Sequence, residues 1–90
     1  MTYNEMMILV NTLSESGDCI LTFLNGECHI DIFDFIGFDK NWNEEYRAYT
    51  RPELVEQLEE YAEEYGDGKF YCTFEVEGHR FVLGYTSYDI

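Results

Sequence analysis

The dipeptide Asn25-Gly26 lies between two runs of alternating apolar residues and constrains the chain more than any other feature. Both central positions of a type I′ turn need a positive φ, which Asn and Gly tolerate best. A two-residue loop there predicts one register. Leu24 stands opposite Glu27, Phe23 opposite Cys28, Leu21 opposite Ile30, and Cys19 opposite Ile32. One face is then wholly apolar: Cys19, Leu21, Phe23, Cys28, Ile30 and Ile32. The other carries Ile20, Thr22, Leu24, Glu27, His29 and Asp31. A slip of one residue would mix the two sets, so the pattern specifies the pairing.

A second hairpin is predicted at Glu77-Gly78, with Phe74 opposite Phe81, Cys72 opposite Leu83 and Phe70 opposite Tyr85. Its other face sets Glu75 against Arg80 and Thr73 against Val82, and cross-strand pairs of opposite charge favour that register. Two helices complete the reading. Thr2 and Glu5 have capping-box spacing, and Tyr3, Met6, Leu9, Val10 and Leu13 follow at helical period up to Gly17. Ile8 falls on the polar side of that helix. Thr50-Arg51-Pro52-Glu53 reads as an N-cap with Pro in the first turn, before a stripe of Leu54, Val55, Leu58, Tyr61, Ala62 and Tyr65 that ends at Gly66 or Gly68. The expectation is a single α+β domain over residues 1–90, in the order α-β-β-α-β-β. In it an antiparallel sheet of two hairpins packs against two helices.

Charge narrows the function. The chain has 19 acids against 5 Lys and Arg, a net charge of −14. Direct nucleic-acid binding neutralises phosphates with Lys and Arg, so it is excluded as a class. An anionic membrane surface is disfavoured for the same reason. Disorder is disfavoured too, because 46% of the residues are hydrophobic and 18% aromatic. Three cysteines are an odd number without C-x-x-C spacing. They read as small buried hydrophobes in a reduced, cytoplasmic protein with no metal or other cofactor. The first residues lack a basic signal-peptide region, and no apolar run reaches membrane-spanning length.

The stretch from Asp34 to Tyr49 is either a functional loop or an unrecognised element, with a possible helical turn from Asn43 to Tyr49. It interleaves Phe35, Phe38, Trp42, Tyr46 and Tyr49 with Asp39, Asn41, Asn43, Glu44 and Glu45. Asp39, Asn41 and Asn43 begin like a calcium loop, but the sixth position is Glu44 instead of Gly and the twelfth is Thr50 instead of Glu. His29 and Asp31 sit two apart on one strand face with Thr22 opposite. That sketches a base and its orienting acid, but no nucleophile motif accompanies them, so the face reads as exposed and polar rather than catalytic. His79 reads as half-buried beside its turn.

From Pro52 to Gly68 there are seven acids and no base: Glu53, Glu56, Glu59, Glu60, Glu63, Glu64 and Asp67. All fall opposite the apolar stripe. A solvated helix face ordinarily alternates Glu with Lys, whereas Glu56–Glu60 and Glu59–Glu63 are like-charge pairs costing about 0.2–0.5 kcal/mol each. Carboxylates at this spacing rise about 5–6 Å apart, comparable to successive phosphates. Such a stripe can occupy a basic groove built for nucleic acid and associate by electrostatic steering. Trp42, Tyr46 and Tyr49 nearby are residue types that anchor interfaces.

In size, charge and interleaving of acids with aromatics, the chain resembles the small acidic nucleic-acid mimics of phages and mobile elements, the anti-restriction and anti-CRISPR proteins. Trp42-Asn43-Glu44-Glu45-Tyr46 is similar to a Trp-Asn-x-Glu-Tyr segment in one such inhibitor of a type II-A CRISPR nuclease. There, acids occupy the site that reads the protospacer-adjacent motif. The resemblance implies that Glu44 and Glu45 meet arginines. It carries no fold, because that inhibitor ends in helices where this chain returns to a hairpin. The expectation is a non-enzymatic inhibitor in the host cytoplasm. It would bind a basic nucleic-acid-handling protein, first a CRISPR effector and second a restriction enzyme. The expected contact residues are Glu53, Glu56, Glu60, Glu63, Glu64 and Asp67 on the helix side, with Asp39, Trp42, Glu44, Glu45 and Tyr46 on the loop. The alternative is an acidic interaction module, or a homodimer through Phe35, Phe38 and Trp42, with the charge serving solubility.

Overall fold

A computed structural model describes residues 1–68 and 72–86. Helix α1 (Tyr3–Glu15) opens with the expected capping box: Thr2 Oγ1 accepts the Glu5 amide at 3.1 Å, and the Thr2 amide donates to Glu5 Oε1 at 3.0 Å. It closes on Gly17, at φ +82°, with the Gly17 amide bonded to the Ser14 carbonyl and the Asp18 amide to that of Leu13. This is a Schellman ending, and it aims the next residue, Asp18, away from the helix.

Strands β1 (Cys19–Leu24) and β2 (Glu27–Phe33) pair in the register set by Asn25-Gly26, from Leu24 opposite Glu27 to Cys19 opposite Ile32. Both turn residues have positive φ, +52° and +78°. The closing pair, β5 (Cys72–Val76) and β6 (His79–Thr86), likewise follows the expected register. The pairing of Phe70 with Tyr85 lies outside the described residues. Glu77, left-handed at φ +50°, is held there by its carboxylate, which accepts the Tyr3 amide at 2.6 Å.

The two hairpins are antiparallel within themselves, but they join through a parallel seam. Strand order is β1-β2-β6-β5, with Ile30 opposite Leu83 at the centre of the β2–β6 pair. The sheet is therefore mixed, which corrects the antiparallel expectation. A parallel pair needs a long crossover, and the segment holding the second helix supplies it. Both hairpin turns consequently lie at one end of the sheet, because Glu27 and Arg80 start their strands side by side.

Asp34 to Tyr49 is a missed element rather than a loop or helical turn. Strands β3 (Phe35–Phe38) and β4 (Glu44–Tyr46) form a separate two-stranded sheet. A bulge between Phe35 and Gly37 breaks the alternation that would have marked it.

Helix α2 (Pro52–Tyr65) starts one residue later than expected. Thr50 is not its cap; Arg51 is, with no side-chain hydrogen bond, because Pro52 disfavours a helical conformation at the residue before it. The entry is held instead by Asp18. Its carboxylate accepts the Thr50 amide at 2.8 Å, the Arg51 amide at 2.9 Å and the Ser16 hydroxyl at 2.7 Å. Arg47 Nη1 lies 3.5 Å away and also donates to the Gly17 carbonyl at 2.6 Å. At its far end α2 stops on Gly66, where an added Cβ would lie 2.1 Å from Cys72 Sγ.

Both helices pack on one face of the sheet. Met6, Leu9, Val10 and Leu13 of α1 and Val55, Leu58 and Ala62 of α2 meet Cys19, Cys28, Ile30, Ile32, Phe74, Val76, Phe81 and Leu83. Phe23 belongs to that face but is 62% exposed, because it sits near the hairpin tip, beside a recess rather than under the helices.

Two outcomes test this architecture. Leu58, fully buried between α2 and the sheet, should lose about 2–5 kcal/mol of stability on truncation to Ala, measured by urea unfolding. Asp18→Asn should cost about 2–4 kcal/mol at pH 7, since it removes a buried charge that several donors face. Burial by itself would raise the Asp18 pKa. The Thr50 amide, Ser16 hydroxyl, Arg51 amide and Arg47 charge outweigh it and hold the carboxyl below its usual value. A depressed folded-state pKa contributes stability above the unfolded value of about 3.9 that is lost as pH falls through the folded pKa. The stability gap between parent and Asp18→Asn should therefore be full at pH 7 and shrink below about pH 4. A gap undiminished between pH 7 and pH 2 would contradict this assignment.

Candidate partner-binding surface

The packing of α2 decides which of its acids are available. Val55, Leu58 and Ala62 point into the core, so Glu53, Glu56, Glu60, Glu63 and Glu64 all face solvent. Among the described residues none of these five forms an ion pair; the ion pairs there are Arg47–Asp18, Arg80–Glu27 and Arg80–Glu75. The remaining two acids of the run serve the fold. Glu59 is half-buried and accepts the Tyr85 hydroxyl. Asp67 accepts the Thr73 amide through Oδ1 at 3.2 Å and donates its own amide to the Thr73 carbonyl at 3.2 Å.

The β3–β4 hairpin presents a second surface. Phe35 contacts Phe38 and Tyr46 at ring-centroid distances of 5.3 and 6.0 Å, and Phe38 contacts Trp42 at 6.0 Å. Trp42, at the tip, is 81% exposed and has φ +62°, a left-handed conformation that is strained for so bulky a residue. The turn beneath it is organised by Asp39, whose carboxylate accepts the amides of Asn43 and Asn41 and the Asn43 side chain at 2.8–3.3 Å. These bonds, led by the Asn43 amide, lower the Asp39 pKa. Asp39 thus shapes the loop. Glu44 shares the aromatic face, accepting the Tyr46 hydroxyl, while Glu45, one residue on, belongs to the opposite face.

The expected contact residues therefore fall on two surfaces. No hydrogen bond, ion pair or ring contact among the described residues links the α2 glutamates to the hairpin tip. What the sequence reading missed is the anchor beneath the hairpin. The Arg47 amide donates to the Asp34 carbonyl at 2.9 Å, the Tyr49 hydroxyl to Asp34 Oδ1 at 3.1 Å, and the Arg47 guanidinium lies 5.8 Å from the Phe33 ring centroid. No local signal marks these partners, because they are set by the bulged pairing.

The catalytic sketch finds little geometry. His29 Nε2 is buried without a hydrogen bond and lies 3.5 Å from Glu27 Oε1, not against Asp31. His79 is exposed rather than half-buried and stacks on Tyr3 at 3.8 Å. It borders an open recess of about 220 Å³ between the two hairpin turns, lined also by Phe23, Glu27, Arg80 and Phe81. Among the described residues no three His, Cys, Asp or Glu side chains are grouped to hold a metal ion, and no helix is long and apolar enough to cross a membrane. No family model matches the chain, and neither the curated proteins nor the solved structures yield a match.

The thiols give a direct check on burial. Burial pushes Cys19 up to about 12, with the Asp18 charge adding to it, and pushes Cys28 up to about 11. At pH 8 a thiol reagent should leave both untouched in the folded protein, and denaturant should release all three cysteines. Rapid native labelling of Cys19 or Cys28 would contradict the core described above.

Proposed function

We propose that the protein is a non-enzymatic inhibitor that occupies the basic nucleic-acid channel of a host defence enzyme as a charge mimic, acting in the host cytoplasm. The observation that carries this reading is the exposed stripe of Glu53, Glu56, Glu60, Glu63 and Glu64, held on one helix and forming no ion pair among the described residues. Like-charged neighbours at this spacing weaken a helix, so a fold that keeps them is using the charge. A channel lined with Lys and Arg offers the complementary field, and encounter is then fast and salt-sensitive. A CRISPR effector is the first target to test and a restriction enzyme the second. Glu44, from the segment similar to an anti-CRISPR inhibitor, adds a carboxylate to the hairpin's aromatic face.

Trp42 is the proposed anchor. A left-handed tryptophan exposed at a hairpin tip is a local outlier that the fold does not need, and such outliers concentrate at ligand contacts. Trp is also the commonest type of interface hot spot. This observation equally favours a second reading, an aromatic-hairpin interaction module whose charge serves solubility.

A kinetic binding series against a purified effector, at several ionic strengths, separates the two. Replacing Glu56, Glu60, Glu63 and Glu64 together by Lys should leave the fold intact and reduce the on-rate at least about 100-fold at low salt. Neutral Gln replacements should fall between. Trp42→Ala should instead raise the off-rate by about 10–100-fold with an unchanged salt slope. Undiminished binding by the quadruple Lys variant would reject the charge-mimic reading and leave the aromatic module.

A further inference from the structure

The two edges of the main sheet are treated differently. In a two-residue hairpin the pair flanking the loop exchanges both hydrogen bonds, and pairs alternate from there. In β5 the outward backbone groups are thus those of Thr73 and Glu75. Asp67 bonds both the amide and the carbonyl of Thr73, and Glu75 places an exposed charge on that edge. In β1 the outward groups are those of Cys19, Leu21 and Phe23. No hydrogen bond among the described residues reaches the outer backbone of Leu21 or Phe23. The strand, Cys-Ile-Leu-Thr-Phe-Leu, has no charge and no proline, and Ile20, Phe23 and Leu24 are 49%, 62% and 55% exposed. Sheet edges are ordinarily blunted by such devices, and this one has none.

We infer that β1 is a self-association edge, pairing antiparallel with β1 of a second copy about a two-fold axis at Thr22. Side chains opposite one another across an antiparallel pair share a face, so only registers joining residues of equal parity are allowed. Centring on Thr22 sets Ile20 against Leu24 of the second copy, Leu21 against Phe23, and Thr22 against Thr22. Every exposed apolar residue of the strand then meets an apolar partner. Centring on Leu21 instead would set Ile20 against Thr22 and Leu24 against Asp18. The Thr22 register also engages the outward groups of Leu21 and Phe23. The result is a continuous eight-stranded sheet with an isologous interface.

The charge distribution permits it. α1 packs on β1, whereas α2 with its glutamates packs on β5 at the opposite edge. The repelling stripes of two copies therefore sit at the outer ends of the joint sheet. Six residues span about 20 Å. With side chains on both faces that buries on the order of 500 Å² per copy, below the roughly 800 Å² of a standard interface. The dimer is accordingly weak and reversible, with a Kd on the order of 10–100 μM. It is independent of the basic partner proposed above.

Sedimentation velocity from about 5 μM to 1 mM should show the mass rising from 10.7 kDa towards twice that value. Added salt should strengthen the dimer by screening like-charged copies, the opposite of its effect on binding to a basic enzyme. Thr22→Lys sets two ammonium groups face to face on the axis and should weaken dimerisation at least about 10-fold, with circular dichroism unchanged. Thr22→Cys, made with Cys72→Ser, should form a disulfide-linked dimer on mild oxidation. A non-hydrogen-bonded antiparallel pair has Cα atoms about 4.5 Å apart, within disulfide reach. A protein that stays monomeric to 1 mM would overturn the inference. So would a dimer that resists Thr22→Lys and fails to cross-link through Thr22→Cys, which would place the contact elsewhere, as at the aromatic hairpin.

Discussion

Two stretches of the chain distant in sequence, residues 16–18 and residues 47–51, are joined at the carboxylate of Asp18. It is the fully buried charged side chain among the described residues, at 0% exposure. A buried carboxylate is tolerable only when its lone pairs are satisfied. Here the donors come from the end of α1 (Ser16), the exit of the β3–β4 hairpin (Arg47) and the entry to α2 (Thr50 and Arg51). Without that convergence α2 would have no cap, since Arg51 offers none, and the hairpin would keep the bond from Arg47 to the Gly17 carbonyl as its tie to α1. Desolvation makes the arrangement cooperative, because losing one donor leaves the charge less compensated and penalises the others.

Anchoring α2 there determines the surface. The helix must lay Val55, Leu58 and Ala62 on the sheet face that α1 also covers, and its glutamates turn outward as a consequence. Both helices lie on one face of the four-stranded sheet and leave the other face without a helix. Phe23 near the tip of β1, and Ile20 and Leu24 on the uncovered face, remain partly in water. The molecule is thus polarised, with an acidic helix over β5 and an uncharged bare edge at β1. The proposed electrostatic contact and the proposed strand-pairing contact would thereby use opposite edges of the sheet.

Much of the local structure was legible. The register of both long hairpins, the capping box at Thr2 and the division of α2 into apolar and acidic sides all follow from spacing over a few residues. The five exposed glutamates could likewise be read from the helical period. Asp67 could not, because its bonds to Thr73 depend on where β5 passes. Asp34 to Tyr49 was illegible for a different reason. A bulge between Phe35 and Gly37 and a left-handed Trp42 remove the period-two pattern by which short strands are recognised.

What the sequence by itself determined were features whose energetics close within one turn or one strand pair. Asn25-Gly26 prefers positive φ, alternation allows one register, and Pro52 admits a helix start. Tertiary structure alone decided the parallel seam between β2 and β6, the capture of the α2 entry by Asp18, and the exposure of Phe23 on the face the helices cover. Each depends on contacts between residues tens of positions apart. The chain's local periodicities carry no record of which strand edges will meet, nor of how far along the sheet the two helices will reach.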